Sequence, residues 1–503
     1  MERAGSTLKH FLAFTLEMPY LGEVQKRFRT CDLDQPLLLP PSLQEWLPEN
    51  HLGRFIADLT SGLDLSAIYA WYGRRDGRGK AAYHPLLLVR LLLYGYCMGV
   101  LSSRRIERAS YEDVAFRYLA ADQHPDHDTI ANFRQQHLPA LAGIFTQVLQ
   151  LCNKAGLVKL GQVAIDGTKL QANASKHKAM SYERMEAKEK QLKAEVEKLL
   201  AQAAETDAVE DALYGKGQRG DELPAELARR ENRLKKIAEA KAALEQEARE
   251  RAEAEKKAAE ARIEERRKQE QERGRKLGGR PPQVPDPEQA RPEPKAQRNF
   301  TDPDSRIMMD GATKSFVQGY NAQAAVDSRT QIIVAAAITQ EANDKQQLVP
   351  MVQQVADNLG RKPETVTADA GYFSEAALTH TSVQEVDVLV PPDRQKHGSA
   401  PAQVAPARSP DAEPAAVSQD TAEAAATTLA GKMRERLRSS EGQAIYKLRK
   451  QIVEPVFGQI KDARGIRAFL LRGLGKVQAE WLLICATHNI LKLFRAELRP
   501  QVA

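Results

Sequence analysis

A long stretch of strong helix formers in the middle of the chain constrains the fold more than any other feature. Residues 176–298 are dominated by Lys, Glu, Arg, Ala and Gln, and after Pro224 almost no helix breaker occurs before Arg275. Opposite charges recur three or four positions apart, which is typical of a solvated helix without chemistry of its own. A helix over residues 224–274 would be about 75 Å long at 1.5 Å per residue. The block therefore predicts two long helices that turn near residues 214–217 and form an antiparallel hairpin.

Composition excludes several classes of protein. The chain of 503 residues is 42% hydrophobic, which is enough for more than one structural unit. Its four cysteines lie far apart without a C-x-x-C pair, which argues against a zinc ribbon or a disulfide scaffold and suits a reducing cytosol. No signal peptide is visible, and the longest apolar run, Leu86–Leu101, contains Arg90 and falls short of a bilayer span. We therefore expect a soluble, cytoplasmic protein with no membrane partner, and the net charge of +6 permits a nucleic-acid partner.

Changes in composition also predict the organisation of the chain. Residues 1–155 indicate a helical N-terminal domain, and residues 176–298 a charged helical or coiled-coil insertion with its linker. Residues 395–431 are rich in Ala, Pro, Ser and Thr and predict a flexible insertion. Short strand patterns and basic helices in the remaining pieces predict one α/β domain built from residues 156–175, 299–394 and 432–497.

Within that α/β domain, several strands and a helix are expected. Two β-rich runs, Tyr320–Val326 and Gln331–Ile338, are separated by a sequence that begins at Asp327 and predicts a hairpin turn. A helix over Asp344–Leu359 is predicted to follow, ahead of Gly360. The further strands expected are an apolar one that ends at Asp166, Thr365–Asp369 and Val386–Val390.

Three carboxylates have placements that point to a site. Asp166 ends an apolar strand and is followed by Gly167, and Asp369 ends another strand before Ala-Gly. Glu454 lies in an amphipathic helical segment that is rich in basic residues. Ligands of α/β sheets collect beyond the carboxyl ends of strands, and converging acids usually require a divalent cation. Each acid alone is more often a turn former or a solvated charge, but the three together predict a site of oxygen ligands for magnesium or manganese.

Other acids compete for such a role. Asp310 precedes Gly311 but has no strand–acid–Gly-Tyr pattern around it. Asp327 is explained by its turn, and Asp344 is expected to begin a helix, where a carboxylate complements the helix dipole.

Six segments resemble those of a known family, the DDE transposases of bacterial insertion sequences. Its three acidic motifs are similar to Ala164–Ser175 (AIDGTKLQANAS), Thr367–Ser374 (TADAGYFS) and Tyr446–Lys461 (YKLRKQIVEPVFGQIK). The N-terminal domain of that family is similar to the segments Tyr83–Tyr96, Ser102–Glu107 and Pro125–Arg134. The resemblance spans nearly the whole chain except residues 176–298 and 395–430.

The resemblance implies an α/β catalytic core, an RNase H-like mixed sheet flanked by helices, with an all-α N-terminal domain and the long helical hairpin as an insertion. It implies that Asp166, Asp369 and Glu454 are the catalytic residues and hold Mg²⁺ or Mn²⁺, as two ions. The same motifs imply that DNA phosphates are contacted by Tyr446, Arg449, Lys450 and Lys461. Arg449 stands one residue too far from Glu454 for the family spacing, whereas Lys450 stands at the expected place, so which of the two binds phosphate is left open.

The implied activity is transposition. Such an enzyme binds terminal inverted repeats in double-stranded DNA, hydrolyses the phosphodiester at the element ends and transfers the 3′-OH to target DNA. It is expected to act as a homodimer or higher oligomer, associated with the bacterial nucleoid. Local excesses of basic residues make phosphate contacts plausible, and in the N-terminal domain the candidates are Arg104, Arg105 and Arg134. The alternatives are a catalytically inactive DNA-binding or scaffold protein and a nuclease that cuts without joining.

Overall fold

Helices precede a sheet along the chain, and further helices follow it. The computed structural model describes residues 42–73, 82–214, 225–275, 278, 282–311, 314–393 and 428–498. Helix α1, Leu43–Trp46, belongs to a first unit that ends at Trp46. All elements below belong to a second unit that starts at Leu47.

The N-terminal part of this second unit is helical, as predicted. Helix α4 begins with Pro85 at its first position, where a missing N–H costs nothing, and is buried along most of its length. Asp113 and Asp126 accept backbone N–H groups at the starts of α6 and α7 and so fix where these helices begin. The helices are α2 (Leu52–Ser61), α3 (Ser66–Gly73), α4 (Pro85–Cys97), α5 (Ser103–Glu112), α6 (Val114–Leu119), α7 (His127–Gln136) and α8 (Leu138–Lys154).

A mixed sheet follows, as expected from the sequence. Its strand order is β4–β5–β1–β7–β8, with β6 on the same edge of β5 as β4. Strand β5 is antiparallel to β1, β4 and β6, whereas β1, β7 and β8 are parallel to one another. The strands are β1 (Gln162–Gln171), β4 (Arg306–Met309), β5 (Phe316–Asp327), β6 (Ile333–Thr339), β7 (Thr365–Thr367) and β8 (Asp387–Leu389).

The helices after β6 flank this sheet. The first of them begins at Leu348, so the expectation that it starts at Asp344 is wrong. Asp327 is confirmed as a turn residue, because its carboxylate accepts the backbone N–H groups of Arg329 and Leu160. The helices are α11 (Leu348–Leu359), α12 (Glu375–Leu378), α13 (Leu429–Arg438), α14 (Ser440–Gly458) and α15 (Leu474–Glu497), and a π-helical turn, Gln459–Ala463, extends α14.

One hydrophobic core joins the N-terminal helices to the sheet. Its members include Leu92 and Phe145 on the helices, Ile165 and Val326 on the strands, and Trp481 on α15. Helix α15 is apolar on most of its surface, so it packs against α4 and α8 on one side and β6 on the other. The predicted division at residue 155 therefore crosses a continuous core. No helix in the described ranges is long and apolar enough to cross a membrane.

The charged block forms the predicted hairpin of two long helices, α9 (Tyr182–Tyr214) and α10 (Ala225–Arg273). Two short antiparallel strands, β2 (Ala179–Ser181) and β3 (Gln297–Asn299), close its base. The expected turn lies mostly outside the described residues, as do residues 395–427 of the predicted Ala/Pro-rich insertion 395–431.

Candidate active site

The register between β1 and β7 brings two of the predicted acids together. The strands are parallel, and Ala164 pairs with Thr367 in the last ladder position. Two residues further along each strand, the same register places Asp166 beside Asp369. Adjacent strands lie about 4.8 Å apart, so the two side chains project from backbone positions that are close to each other. Two carboxylates therefore lie close together where β7 ends, and this end of the sheet is called the acidic edge below.

Asp166 is fixed by contacts at both carboxylate oxygens. Its Oδ1 accepts the Gly167 N–H at 2.8 Å, and its Oδ2 accepts a hydrogen bond from Arg449 Nη1 at 3.1 Å. The side chains of this ion pair are 20% and 9% exposed, for Asp166 and Arg449 respectively. Burial raises the pKa of Asp166 to about 6, opposed by Arg449 and assisted by Asp369. A carboxylate with this pKa retains its charge at neutral pH.

Asp369 lies two residues after the end of β7, at a tight turn. Its Oδ1 accepts the Gly371 N–H at 2.8 Å, which begins a short 3₁₀ turn. The next residue, Tyr372, is fully buried, and its hydroxyl donates to Gln323 Oε1 on β5. Burial raises the pKa of Tyr372 well above its usual range, and the neighbouring carboxylates add to the effect. The Ala-Gly-Tyr sequence after Asp369 thus anchors the turn to the sheet.

Helix α14 supplies basic and aromatic residues to Asp166. The Arg449 guanidinium lies 5.8 Å from the ring centre of Tyr446, one turn earlier on the helix. Burial works against the positive charge of Arg449, but Asp166 and Tyr446 raise its pKa above the usual value. Lys450 is exposed. The sequence left open whether Arg449 or Lys450 binds phosphate. In the structure Arg449 is bonded to Asp166, whereas Lys450 faces solvent.

Lys461 lies against the same strand as Asp166, from the π-helical turn that follows α14. Its Nζ donates to Thr168 Oγ1 at 3.0 Å and to the Lys169 carbonyl at 3.1 Å. Burial lowers the pKa of Lys461. The side chain holds the turn to β1 in this structure, and its predicted phosphate contact stays a prediction.

Glu454 is not brought to the two aspartates. It is exposed on α14 and makes no hydrogen bond or ion pair within the described part of the chain. Among the described residues, no three His, Cys, Asp or Glu side chains are arranged to hold a metal ion. The structure therefore assembles Asp166, Asp369, Tyr446 and Arg449, and the role of Glu454 stays a prediction.

Sequence reasoning missed the residues that flank the acids. Asp344 was assigned to a helix start, but its Oδ1 accepts hydrogen bonds from Asn321 Nδ2 and Gln323 Nε2, each at 2.7 Å. Lys169 interacts electrostatically with Asp344, Asp166 and Asp369. The available signal was the alternation in β5, where Asn321 and Gln323 interrupt a run of buried small and apolar residues.

The N-terminal basic residues divide into two groups. Arg134 is buried, and its Nη1 donates to the Leu101 carbonyl at 2.9 Å and toward the Tyr96 hydroxyl at 3.5 Å. Its predicted DNA contact is therefore wrong for this structure, because a guanidinium inside the helical core cannot reach a phosphate. Arg104 and Arg105 are exposed near the start of α5, and their DNA contact stays a prediction.

Comparison with protein families adds two matches. A family model described as a transposase DDE domain matches residues 292–490, and one described as a transposase domain (DUF772) matches residues 41–136. The first range contains Asp369 and Glu454, whereas Asp166 lies in neither, so its place in the site rests on the register of β1 with β7. No curated protein and no solved structure matches the chain.

Proposed function

Because the chain belongs to the insertion-sequence DDE transposases, we propose that it cuts DNA at terminal inverted repeats and joins the freed 3′ end to target DNA. The family supports a DNA-cleaving enzyme with a DNA substrate, and the core is the RNase H-like mixed sheet expected from the resemblance. The observation that carries the proposal is the parallel register of β1 and β7, which ends two residues before Asp166 and Asp369, together with the electrostatic interaction between these two carboxylates.

The donor set at this edge suits a divalent cation. Members of the family generally use divalent metal ions. The donors here are carboxylate oxygens, with the fully buried Asn321 Oδ1 nearby and without a hydrogen-bond partner in the described chain. Oxygen-only donors favour Mg²⁺ or Mn²⁺. We propose that Asp166, Asp369 and Glu454 would hold two such ions, whose chemistry would be to acidify a bound water and to compensate negative charge on a leaving 3′ oxygen.

The other residues of α14 orient the acids and the DNA. Arg449 and the Gly167 N–H hold the two oxygens of Asp166, so this carboxylate is positioned before DNA arrives. Glu454 lies one helical turn beyond the exposed Lys450, on the same flank of α14. DNA that contacts Lys450 and Tyr446 through its phosphates would lie over this flank and close the site around Glu454.

The wider interactions follow from the reaction. Two element ends must be joined in concert, so we propose a homodimer or a higher oligomer, acting at the nucleoid in the bacterial cytoplasm. The exposed Arg104 and Arg105 on α5 are available for phosphate contacts, which would make binding dependent on salt.

Metal-dependent nicking of a duplex that carries the terminal repeats of the element tests this function. Asp166→Asn, Asp369→Asn and Glu454→Gln should each slow nicking at least about a hundredfold, because metal-centred charge stabilisation is worth several kcal/mol. Asp357→Asn is the matched control, since Asp357 is exposed on α11 and its carboxylate accepts a hydrogen bond from Gln353 on the same helix. Undiminished nicking by all three site variants would refute the assignment.

The exposed position of Glu454 favours one alternative, a protein that binds DNA without cutting it. Wild-type protein that binds the repeats but shows no nicking with Mg²⁺ or Mn²⁺ would support that alternative. The remaining alternative is a nuclease that cuts without joining. A strand-transfer assay with a pre-cleaved end tests it, because such a nuclease would cut the repeats but would not join this end to target DNA.

A further inference from the structure

Beyond the acidic edge, β1 has a second neighbour on the side that β7 occupied. Strand β7 pairs with β1 only as far as Ala164. Further along, Gln171 forms a parallel bridge with Ala468, held by two backbone hydrogen bonds of 3.0 and 2.9 Å. Since β5 lies along the other side of β1, the described strands leave an opening from Ala164 to Gln171, about 23 Å long at about 3.3 Å per residue. The acidic edge lies at the start of this opening, and residues 466–472, called the basic segment below, lie at its far end.

The basic segment is held in place by contacts within the protein. Glu480 on α15 is almost completely buried, and its carboxylate accepts the backbone N–H groups of Leu470 at 3.1 Å and Leu471 at 2.9 Å. Asn173, two residues beyond β1, donates from Nδ2 to the Leu470 carbonyl at 2.6 Å. A surface that is already ordered loses little conformational entropy when it binds a partner.

The charge of this part of the chain is of one sign. Residues 464–476 contain four basic residues and no acidic one. One of the four is buried, and the exposed ones are Arg467, Arg472 and Lys476. Arg467 pairs with Asp462, but both side chains are exposed, so water screens this pair. The segment therefore presents positive charge to the solvent.

Arg467 lies on the face of the sheet that carries Asp166. Ala468 shares a face with Gln171, its partner in the bridge. Side chains alternate along a strand, so Arg467 lies on the opposite face, together with Asp166. Burial lowers the pKa of Lys461, and Arg467 adds to this effect, so these two cations are close together.

Arg472 lies beside the chain that continues from β1. Its Nε donates to the Asn173 carbonyl at 2.8 Å, and its Nη2 lies 3.4 Å from Asn173 Oδ1. The side chain is exposed, so the guanidinium N–H groups that these contacts do not use remain accessible. A guanidinium can donate two parallel hydrogen bonds to a phosphate, which makes arginine well suited to this ligand.

From this arrangement we propose that the basic segment binds phosphates of the DNA duplex next to the bond that is cut, through Arg467 and Arg472. The inference rests on the proposed function and assigns DNA contacts that lie outside the three acidic motifs. Lys461 is bonded to Thr168 and Arg472 to Asn173, and the chain between these partners spans at most about 17 Å at about 3.4 Å per residue. Phosphates of one DNA strand follow one another at about 3.4 Å along the duplex axis, so the basic side chains span several successive phosphates.

Fluorescence anisotropy with a labelled duplex that carries the terminal repeats tests the proposal without catalysis, using full-length protein in chelator over a range of salt concentrations. Arg467→Gln and Arg472→Gln should each weaken binding and lower the slope of log Kd against log salt by about one, because each removes a phosphate contact. Asp462→Asn should strengthen binding, since it removes the acidic partner of Arg467. Arg361→Gln is the matched control and should bind as the wild type does. Arg361 is also exposed and also donates to a backbone carbonyl, that of Lys159, but it lies before the start of β1.

The outcomes separate this inference from the proposed function. If Arg467→Gln and Arg472→Gln bind with the affinity and salt slope of the wild type, the inference is overturned. The proposed function then stands as long as Asp166→Asn still slows nicking. If the wild-type protein does not bind the duplex, both proposals fail.

Should Arg472→Gln not fold, Arg467→Gln decides, because the Arg467 side chain is 63% exposed and its loss leaves the core intact. Single phosphates beside the cut are replaced by neutral methylphosphonates, and the affinity of each duplex is measured with both proteins. The phosphate that Arg467 contacts should matter for the wild type and no longer matter for the variant. If every methylphosphonate weakens binding equally in the two proteins, Arg467 contacts no phosphate and the proposal is overturned.

Discussion

The sheet and the charged hairpin are stabilised in different ways. Strand β5 is buried on almost every residue and pairs with β1, β4 and β6, so its conformation depends on partners distant in sequence. The hairpin has one small apolar cluster at its base, formed by Tyr182, Met185, Leu192, Ile237, Ala240 and Leu244. Beyond this cluster, apart from the buried Ala252 and Ala259, its helices depend on local propensity and surface ion pairs, so the two regions should respond differently to substitution.

The base of the hairpin connects the two regions. Glu247 on α10 pairs with Arg298 on β3 at 2.5 Å and with Arg306 on β4 at 3.1 Å. Because Arg306 belongs to the main sheet, a force applied to the hairpin would be transmitted to the edge of the catalytic core. The hairpin is thus a locally stable element that is attached to the core at its base.

Trp481→Ala should have the largest effect on stability. The indole is fully buried and donates to the Gln323 carbonyl, so its removal leaves both a cavity and an unpaired acceptor. We expect the free energy of unfolding to fall by about 3–5 kcal/mol in a denaturant titration. Leu200→Ala is the control in the hairpin, since Leu200 is exposed and should change stability by less than about 0.5 kcal/mol. If both variants lost the same free energy of unfolding, the proposed difference between the sheet and the hairpin would be contradicted.

His488 should make the sheet side of the molecule sensitive to acid. Burial lowers the pKa of His488 to about 3, with Arg464, Lys492 and Arg495 adding to the effect, while its Nε2 donates to the Gln331 carbonyl. The unfolded chain binds a proton near pH 6.5 and the folded chain does not, so stability falls as the pH drops below 6.5 and continues to fall toward 3. Stability falls by about 1.4 kcal/mol per pH unit, which amounts to about 2 kcal/mol between pH 6.5 and pH 5.

Chemical denaturation at pH 7.5 and pH 5 measures this contribution. His488→Gln should remove it, so that the variant loses less stability on acidification than the wild type. His177→Gln is the control, because His177 is exposed before the hairpin and its substitution should leave the pH profile unchanged. Identical profiles for wild type and His488→Gln would show that the buried imidazole is not the titrating group.

Elements with a local pattern could be predicted from the sequence. Helix α10 has no internal breaker, and β5 and β6 are bounded by the turn at Asp327, so their types were recognisable without partners. Asp166 and Asp369 were recognisable because each follows a short apolar run and precedes a glycine within two residues. Their adjacency then follows from one parallel register. The expectation that Asp166 ends its strand was wrong, because β1 continues through Gly167 to Gln171 with β5 as its partner.

Contacts between distant segments could not be predicted. The partners of Asp344 lie 21 and 23 positions away across a strand hairpin, and no local pattern separates this residue from an ordinary helix-capping aspartate. Arg134 and Arg104 look alike in sequence, but only the fold decides that one is buried and the other exposed. Charge alone therefore identified a basic segment but not the residues that face DNA.

The smallest effect is expected for an ion pair of the hairpin. Lys241 Nζ lies 3.2 Å from Glu189 Oε2, between α10 and α9, and both groups remain accessible to water. A double-mutant cycle with Lys241→Met and Glu189→Gln should give a coupling below about 1 kcal/mol, because such pairs lose most of their Coulomb energy to solvent. The coupling should shrink further in 1 M salt, where the screening length is about 3 Å. A larger coupling that persists in salt would mean that the hairpin is held by specific charge contacts, and the contrast with the sheet would then have to be given up.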